Sequence, residues 1–526
     1  MCIRDRGCFV GSEGTMGIAT RIAVRLTPNP PTVRTLLLDF VTVEDAGATV
    51  SGIIAAGIVP AALEMMDAEI TRAVEDFVGA GYPRDAGAVL LVELDGLDAG
   101  VAAQVEAVRT VGLEHGARTV RVAADETERA LLWKGRKSAF GAIARIAPDY
   151  YLHDAVVPRT RLVEVLQQVY AIAAEHRLTM MNVFHAGDGN LHPLIVFDAR
   201  EPGIWPRVSG RRRDPAGLRR RRRRPLRRAR NRVGETRRHA DGVRTGRPRR
   251  AGPTARRLRP VRSRQPRQGA PSRQPLRRAP PGPGGRMDLT GRRSEADVQA
   301  AVAAADTVVA AGAGTHAEVG NPVTASTSVA APRGIVSYDP AELTITVWAG
   351  TGIDELDATL AAEHQECVLD PRDPHATVGG LLAVGLSGHR RLRYGPLRDR
   401  VLEVRFVTAD GRVVRGGGPT VKNVTGYDMP RLLVGSLGTL GVLTRVILRC
   451  QPRPACVRWY RTDRDPDTVR DRCFQPSTIL WNPDTGTDVL LEGHPDDVDA
   501  QARAAALEPT DQTPQLPDGP HRGRIS

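Results

Sequence analysis

Two kinds of hydrophobic pattern alternate along the first 208 residues of the chain. Short apolar runs at 35–40 and 88–93 are typical of buried strands, whereas the stretches 101–114 and 161–174 space their apolar residues with the period of a helix. Strands that alternate with helices in this way predict an α+β or α/β fold for this part of the chain.

The same two patterns return after residue 286. A helix is predicted at 295–305 and a short apolar strand at 307–311, which ends in the stretch Gly312-Ala313-Gly314-Thr315-His316. Asp410-Gly411 lies between apolar runs and predicts a hairpin turn. Further strands are predicted at 343–348, 401–408, 478–481 and 489–492.

Charge divides the chain more sharply than hydropathy does. The chain has 526 residues and a net charge of +14, with 74 Lys or Arg and 60 Asp or Glu. Residues 211–286 alone hold 29 arginines, no lysine and three acidic residues, so they carry +26 and the rest of the chain carries −12. A basic insert therefore interrupts an acidic protein. Composition defines three blocks, at 7 to about 208, 209–286 and 287–526. With the repeat and the resemblance described below, we predict five segments, at 1–30, 31–208, 209–286, 287–454 and 455–526.

A repeated segment links the two outer blocks. Residues 10–30 align without gaps on residues 434–454, with 11 of 21 positions identical. The identities include Gly11-Ser12-x-Gly14-Thr15-x-Gly17, which matches Gly435-Ser436-x-Gly438-Thr439-x-Gly441. The second copy lies deep inside its block, whereas the first lies almost at the start of the chain. We therefore expect the first copy to be the tail of a domain whose head is absent.

Composition excludes several protein classes. The apolar content of 41% and the charged content of 25% are ordinary for a globular protein. The six cysteines form no CxxC pair and no regular spacing, so we expect reduced thiols rather than a zinc knuckle or a disulfide framework. No apolar run approaches the ~18 residues of a membrane span, and no signal peptide is visible. A cytoplasmic protein is expected.

Glycine-bearing motifs of the third block form a candidate cofactor site. Gly312-x-Gly314-Thr315 follows a predicted strand and lets backbone N–H groups approach a pyrophosphate closely, although an isolated motif of this kind is more often an ordinary turn. Ala376-Thr377-Val378-Gly379-Gly380, then Arg393-Tyr394-Gly395 with Asp399, and finally residues 435–442 strengthen the first interpretation.

Together these motifs resemble the FAD-binding domain of the vanillyl-alcohol-oxidase (PCMH) type. Residues 386–391 (LSGHRR) and 421–428 (VKNVTGYD) make 287–454 more specifically similar to the FAD-binding accessory subunit of bacterial glycolate oxidases. By the same resemblance, 1–30 is the remnant of a first FAD-binding domain, and 455–526 is a reduced C-terminal cap. The residues implied to bind FAD are Gly312, Ala313, Gly314, Thr315, His316, Thr377, Val378, Gly379, Gly380, Tyr394, Gly395, Asp399, Gly438, Gly441 and Val442.

A histidine-containing loop is the candidate site of the first block. His185 and His192 flank a glycine-bearing stretch, and two neutral imidazoles with one carboxylate can hold a divalent cation and leave positions open for substrate. On spacing alone, a pair of histidines that only satisfy local hydrogen bonds explains the pattern equally well.

The surroundings of that loop resemble a known domain. Residues 131–137 (LLWKGRK), 148–151 and 157–159 are similar to the cap of the FAD-linked catalytic subunit of glycolate oxidases, over about 7–208. The resemblance implies a ferredoxin-like α+β domain with His185 and His192 as ligands of zinc, manganese or iron. Asn190 would contact the substrate, and Arg136 would hold its carboxylate bidentately. Without the resemblance, Arg136 would be assigned to a solvated helix face.

The resemblance implies a function for the whole chain. Glycolate or a D-lactate-like 2-hydroxy acid would be oxidised by FAD to a 2-oxo acid, with electrons passing to an iron–sulfur partner subunit. No specific nucleic acid and no transmembrane segment is expected, and the location would be cytoplasmic, possibly at the inner face of the membrane. The alternatives are a flavin-binding accessory or structural subunit without catalysis, and a nucleic-acid-binding protein.

The arginine-rich insert has two explanations. A disordered Arg/Pro-rich arm could bind phosphates, although such arms usually mix Lys with Arg. Alternatively, GC-rich coding DNA has been read out of frame from near Val208. Permitted codons for 227–241, shifted by one base, can encode GEHGIGSEKRDATL, which looks like the missing end of the catalytic subunit. We favour the second explanation. The third metal ligand and the catalytic base would then be absent, and activity would be poor.

Overall fold

The computed structural model describes residues 9–24, 26–208, 293–317, 319, 327–423 and 426–514. The arginine-rich segment predicted at 209–286 lies outside the described residues, so its predicted disorder is not addressed by the structure. Three sheet-containing regions follow one another along the described chain.

The first region is a mixed domain built on an antiparallel sheet of nine strands. Its first four strands follow the order 4-1-3-2 in the sheet, which is the ferredoxin-like arrangement. The remaining strands extend the sheet from the edge formed by Ala62–Asp67 through Thr179–His185. The nine strands are Thr32–Phe40, Ala62–Asp67, Ala88–Gly96, Ala117–Val122, Asp149–Leu152, Ala155–Val156, Thr179–His185, Asn190–Leu191 and Pro193–Phe197.

Helices cover this sheet, and the strand sequences reflect this packing. Leu36 and Leu38 of the first strand enter one hydrophobic cluster, whereas Leu37 between them enters another. Successive side chains of a strand point to opposite faces, so a continuous apolar run indicates a sheet that is buried on both faces. The α-helices are Val43–Ala55, Ala68–Val78, Asp98–Glu114, Glu126–Lys137, Ala139–Ile143, Leu162–Glu175 and Ile204–Val208, and 3₁₀ turns lie at Arg159–Arg161 and Ala186–Asp188.

The second region contains a five-stranded antiparallel sheet. Val442–Arg449 is its central strand, with Thr344–Trp348 on one side and Val401–Val407 on the other. The outer strands are Ile335–Asp339 and Val413–Gly417, and the latter is joined to Val401–Val407 through the predicted hairpin turn. Smaller pairs are parallel Val308–Ala311 with Thr327–Ala330 and antiparallel Gln365–Glu366 with Gln451–Pro452.

The helices of the second region are short and pack against this sheet. Glu295–Ala304 begins with a capping box, in which the Ser294 hydroxyl and the Asp297 carboxylate each accept a hydrogen bond from the other residue's backbone N–H. The other α-helices are Ile353–Ala361, Val378–Val384, Arg391–Tyr394 and Met429–Leu433, and 3₁₀ turns lie at Pro340–Glu342 and Leu397–Arg400.

The third region is a small sheet with two helices. Its strands are Cys456–Thr462, Thr478–Asn482, Gly486–Gly493 and Glu508–Pro509, and its helices are Pro466–Arg472 and Pro495–Ala505. Arg390 of the second region reaches this sheet and pairs with Glu492 at 3.2 Å, as well as with Glu366 and Asp370. The third region is therefore held against the second by a buried charge network.

The predicted α+β architecture is confirmed. Each strand and helix predicted from the sequence is present, with ends that differ from the prediction by a few residues at most. Cys367, Cys450, Cys456 and Cys473 carry free thiols, as expected. Within the described ranges, no helix combines the length and the apolar character needed to cross a membrane.

Candidate functional site

A tight turn positions the histidine loop of the first domain. The strand Thr179–His185 ends at His185, and the 3₁₀ turn Ala186–Asp188 leads to Gly189. Gly189 has a positive φ of 65°, and a β-carbon there would overlap the carbonyl oxygen of Val157. Glycine is therefore required for the close approach that places Asn190 opposite His185 in the sheet.

The structure brings the two predicted histidines together. The ring centroids of His185 and His192 are 5.3 Å apart in an edge-to-face arrangement. His185 Nδ1 lies 2.8 Å from Glu64 Oε1, on the neighbouring strand Ala62–Asp67. His192 Nδ1 lies 3.8 Å from Asp154 Oδ1. His185 Nδ1 is thus within hydrogen-bond distance of a carboxylate, which is the arrangement that orients a metal-binding histidine through its second nitrogen. His192 Nδ1 is buried and has no hydrogen-bond partner among the described residues.

Arg136 joins the same cluster through Glu64. Arg136 Nη2 donates to Glu64 Oε2 at 2.7 Å, so one carboxylate links the predicted substrate arginine to His185. Arg136 is only 9% exposed, which argues against the solvated helix face that its sequence alone suggested. Its Nε is buried and has no hydrogen-bond partner among the described residues. A guanidinium has five N–H donors, and the contact with Glu64 uses one of them.

Asn190 is buried beside the same group of residues. In the amide orientation that satisfies its neighbours, its nitrogen donates to Asp154 Oδ1 at 2.8 Å and to the Ala155 carbonyl at 3.2 Å. Asp154 therefore lies between Asn190 and His192. Arg136, Asn190, His185 and His192, all predicted from the sequence, belong to one cluster that two carboxylates hold together.

The charges of the cluster settle its protonation. Burial raises the pKa of Glu64, but the hydrogen bond from His185 and the charge of Arg136 outweigh that effect and lower the pKa overall. Burial lowers the pKa of His192, although the Asp154 carboxylate opposes the shift. At neutral pH, Glu64 is thus an anion and His192 a neutral imidazole, which is the form that binds a metal.

These residues provide only part of a metal site. His185 and His192 fit as two ligands, because their ring centroids lie 5.3 Å apart. Within the described parts of the chain, however, no group of three or more His, Cys, Asp or Glu side chains is arranged to hold a metal ion. A catalytic zinc usually takes three protein ligands. The donor set seen here is therefore short of a complete site.

The glycine motifs of the second region converge at the end of one strand. Gly312 follows Val308–Ala311, and a β-carbon on Gly312 would lie 2.6 Å from Thr377 Oγ1. A β-carbon on Gly438 would lie 3.3 Å from the side chain of Ala310 in that strand. Backbone and small side chains therefore line this junction, and Gly314, with φ of 79°, has open space where a side chain would be. This cradle fits the phosphates of a dinucleotide.

Other predicted cofactor residues support the cradle from behind. The Thr377 hydroxyl accepts a hydrogen bond from Gly380 N at 3.2 Å and begins the helix Val378–Val384. A β-carbon on Gly379 would lie 2.8 Å from the Ala349 carbonyl oxygen, so that position requires glycine. Val378 and Val442 are buried in the core, which leaves only their backbone groups for a ligand. Ala313 lies beside Gly312 in the same loop.

The remaining predicted residues lie in two other turns. Thr315 Oγ1 and His316 Nδ1 are 2.9 Å apart in the loop after Gly314. Tyr394 and Gly395 end the short helix Arg391–Tyr394, and a β-carbon on Gly395 would lie 3.1 Å from Asp399 Oδ2. Gly441 has φ of 148° and begins the central strand Val442–Arg449.

The first and second regions contact each other through buried charges. Arg159 and Glu342 form an ion pair with an Nε to Oε2 distance of 3.2 Å, and both side chains are 6% exposed. Lys422 Nζ lies 2.6 Å from Asp188 Oδ2, so a residue of the second region contacts the histidine loop. Ile54 of the first region belongs to the hydrophobic core of the second.

Comparison with protein families identifies both domains. Residues 29–210 match the family "FAD linked oxidases, C-terminal domain", and residues 292–417 match the family "FAD binding domain". The chain therefore contains the FAD-linked oxidase cap and the FAD-binding domain that the motifs predicted.

Two different subunits of one enzyme are among the relatives. The chain is similar to glycolate oxidase subunit GlcD of Escherichia coli (strain K12), with 52% identity over 200 residues, which covers 38% of this chain and 40% of the relative. It is also 45% identical over 152 residues to subunit GlcE of the same organism, covering 28% of this chain and 43% of the relative. A D-lactate dehydrogenase of Anaerostipes hadrus is 33% identical over 202 residues, which cover 37% of this chain and 42% of the relative.

The chain spans about two fifths of the length of these relatives. Its similarity to two separate subunits agrees with the prediction of two joined parts. These similarities give no support to the nucleic-acid-binding alternative.

Sequence reasoning missed three residues of the cluster. Glu64 belongs to no motif. Its carboxylate lies within a buried apolar strand, however, and this position alone indicates a nearby partner, because buried charges need partners. Asp154 had no such signal. Lys422 was part of the predicted 421–428 motif, but only the folded chain shows that it reaches Asp188.

Proposed function

We propose that this chain is an FAD-dependent oxidoreductase of the glycolate oxidase type, which converts glycolate or a D-lactate-like 2-hydroxy acid to the 2-oxo acid. The observation that carries the proposal is the cluster in which Glu64 joins Arg136 to His185 beside His192 and Asn190. A guanidinium for a carboxylate and imidazoles for a hydroxyl are the groups that a small 2-hydroxy acid requires.

FAD would be held by the cradle of Gly312, Gly314, Thr377 and Gly438, and when bound it supplies the oxidant that accepts two electrons from the substrate. The chain's own residues would orient the substrate. Arg136 would donate to the substrate carboxylate, and Asn190 would contact the substrate from the side of Asp154. Arg136 Nη2 already donates one hydrogen bond to Glu64, so the contact with the substrate would use the remaining guanidinium N–H groups.

We also propose that His185 and His192 are two ligands of a divalent metal, with zinc, manganese and iron as the candidates. In this proposal, the third ligand and the catalytic base belong to the sequence that the shifted reading frame would encode, and this chain lacks them. The bound ion is therefore held weakly, and turnover is slow. An iron–sulfur subunit is proposed as the electron acceptor. In the same proposal the chain is cytoplasmic, and partner subunits attach it to the inner face of the membrane.

Metal binding can be measured directly. We expect isothermal titration of the FAD-loaded chain with Zn²⁺ or Mn²⁺ to show weak binding that His185→Ala or His192→Ala abolishes. His176→Ala removes a histidine outside the cluster and should change nothing. Tight stoichiometric binding that survives in both cluster variants would contradict the assignment.

Substrate oxidation is tested by single-turnover bleaching of bound flavin. Glycolate or D-lactate should bleach the flavin slowly. Arg136→Met and His192→Gln should slow the reaction at least 10-fold further, because each removes a group that orients the substrate. His176→Gln is the matched control. No bleaching by any 2-hydroxy acid would overturn the proposed function, and fast multiple turnover would overturn the incomplete site.

A further inference from the structure

The cap and the FAD-binding domain meet at a buried polar junction. Besides the ion pair, Arg159 Nη2 donates to the Glu342 backbone carbonyl, and Thr160 N donates to Glu342 Oε1. Ser51 Oγ donates to the Arg159 carbonyl at 3.0 Å, which fixes the turn that carries the arginine. Two charges that are removed from water are stable only when ion pairing and hydrogen bonds of this kind satisfy both of them. The junction is therefore specific rather than incidental.

A second contact fixes the relative orientation of the regions. Asp497 of the C-terminal region is buried, and its two carboxylate oxygens accept hydrogen bonds from Ala99 N at 3.0 Å and Gly100 N at 2.7 Å. These backbone groups belong to the first turn of Asp98–Glu114, where a carboxylate is favoured by the helix dipole. The cap is thus attached at two separated points.

This attachment places Lys422 at the histidine loop. Lys422 Nζ lies 2.6 Å from Asp188 Oδ2, in the 3₁₀ turn that connects His185 to Asn190. The lysine side chain remains 42% exposed, so its ammonium group can reach solvent and ligands. The charge of Lys422 also acts on His192, where it lowers the pKa of the imidazole. Lys422 is therefore an accessible cation next to the cluster.

Arg136 is the cation of the cap that the proposed function assigns to the substrate carboxylate. Arg136 is buried, and its Nη2 is paired with Glu64, so only part of its guanidinium is available. A 2-hydroxy or 2-oxo acid has two oxygens on its carboxylate and one on its neighbouring carbon. To bind all of these oxygens, the site needs a second hydrogen-bond donor that approaches the acid from another direction.

We propose that Lys422 of the FAD-binding domain is a second carboxylate-binding residue of the cap site, so that the site is composite and needs both domains. This inference rests on the proposed function. In the free chain Asp188 neutralises Lys422, and an incoming small dicarboxylate or 2-hydroxy acid displaces Asp188 from the ammonium group. Asp188 thus acts as a competitor for the lysine.

The test is calorimetric titration of the FAD-loaded full-length chain with oxalate, a non-reactive anion of the right size. Lys422→Ala should weaken oxalate binding at least 10-fold, and Lys422→Arg should retain most of the affinity. Asp188→Asn should strengthen binding several-fold, because it frees the ammonium group. Lys134→Ala removes an exposed charge elsewhere on the cap and should leave affinity within 2-fold.

The sign of the Asp188→Asn effect separates the proposal from a purely structural salt bridge. If the pair only attaches the two domains, Asp188→Asn and Lys422→Ala will both weaken oxalate binding, and the inference fails. Unchanged affinity in Lys422→Ala overturns it as well, while leaving the proposed function intact. If the FAD-loaded wild-type chain binds no oxalate at all, both the inference and the proposed substrate site are wrong.

Discussion

The two copies of the repeated segment share 11 of 21 residues but have very different structures. In the second copy, Val442–Arg449 is the central strand of a five-stranded sheet, paired on both sides. In the first copy, the matching residues 18–24 form no strand, and Ile18 is 89% exposed and Val24 75% exposed. The sequence pattern of a strand thus occurs twice, but among the described residues only the second copy pairs with neighbouring strands.

This difference shows where strand stability comes from. Apolar β-branched residues favour a strand mainly because they pack against cross-strand neighbours and become buried. Leu448 and Val446 have such neighbours and are fully buried, whereas the equivalent Val24 and Ile22 have none and are exposed. Matched substitutions at aligned positions measure how much stability these neighbours contribute.

The largest difference is expected from truncation of the aligned apolar residues. Leu448→Ala should lower the free energy of unfolding of the FAD-binding domain by about 2–5 kcal/mol, because it leaves a cavity in a fully buried core. Val24→Ala should change it by less than about 0.5 kcal/mol, because the side chain is exposed. Chemical denaturation followed by release of flavin fluorescence measures both. Equal effects would mean that the two copies share one environment.

A smaller difference is expected at the glycine that precedes each strand. A β-carbon on Gly441 would lie 2.6 Å from the Val407 carbonyl oxygen, whereas one on Gly17 would lie 3.6 Å from the Phe9 ring. Both glycines have positive φ, but only the first also faces a backbone clash. Gly441→Ala should destabilise by about 1–3 kcal/mol, and Gly17→Ala should be milder in the same denaturation experiment. A larger loss in Gly17→Ala would contradict this account.

The smallest of the three differences concerns an identical threonine. Thr444 Oγ1 donates to Glu295 Oε1 at 2.6 Å and is buried, whereas the aligned Thr20 is exposed. Thr444→Val should cost about 1–2 kcal/mol, since Glu295 keeps its pairing with Arg405. Thr20→Val should be neutral. If the two threonine variants unfold at the same denaturant concentration, the hydroxyl of Thr444 contributes nothing measurable.

The sequence predicted the fold well because both domains rely on local patterns. Runs such as 35–40 and 88–93 are continuous and apolar, and the structure has strands there because the sheet is buried on both faces. The sheet order could not be read from the sequence, because it depends on contacts between distant strands.

The candidate site was predicted less completely than the fold. Arg136, His185, His192 and Asn190 were named from the resemblance, and they meet in one cluster. Their partners have no motif, and Glu64 lies 121 residues from His185 and 72 residues from Arg136 in the chain. Lys422 lies in a different domain, so only docking of the two domains reveals its contact with Asp188.

Under the proposed function, one copy of the repeat belongs to an FAD cradle and the other does not. The most direct measurement is the amount of FAD bound per chain, from flavin absorbance, in the wild type and in the aligned variants Gly438→Val and Gly14→Val. We predict one FAD per chain, lost in Gly438→Val, whose side chain would press on Ala310, and retained in Gly14→Val. Two FAD per chain, or an unchanged flavin content in a folded Gly438→Val variant, would contradict the account.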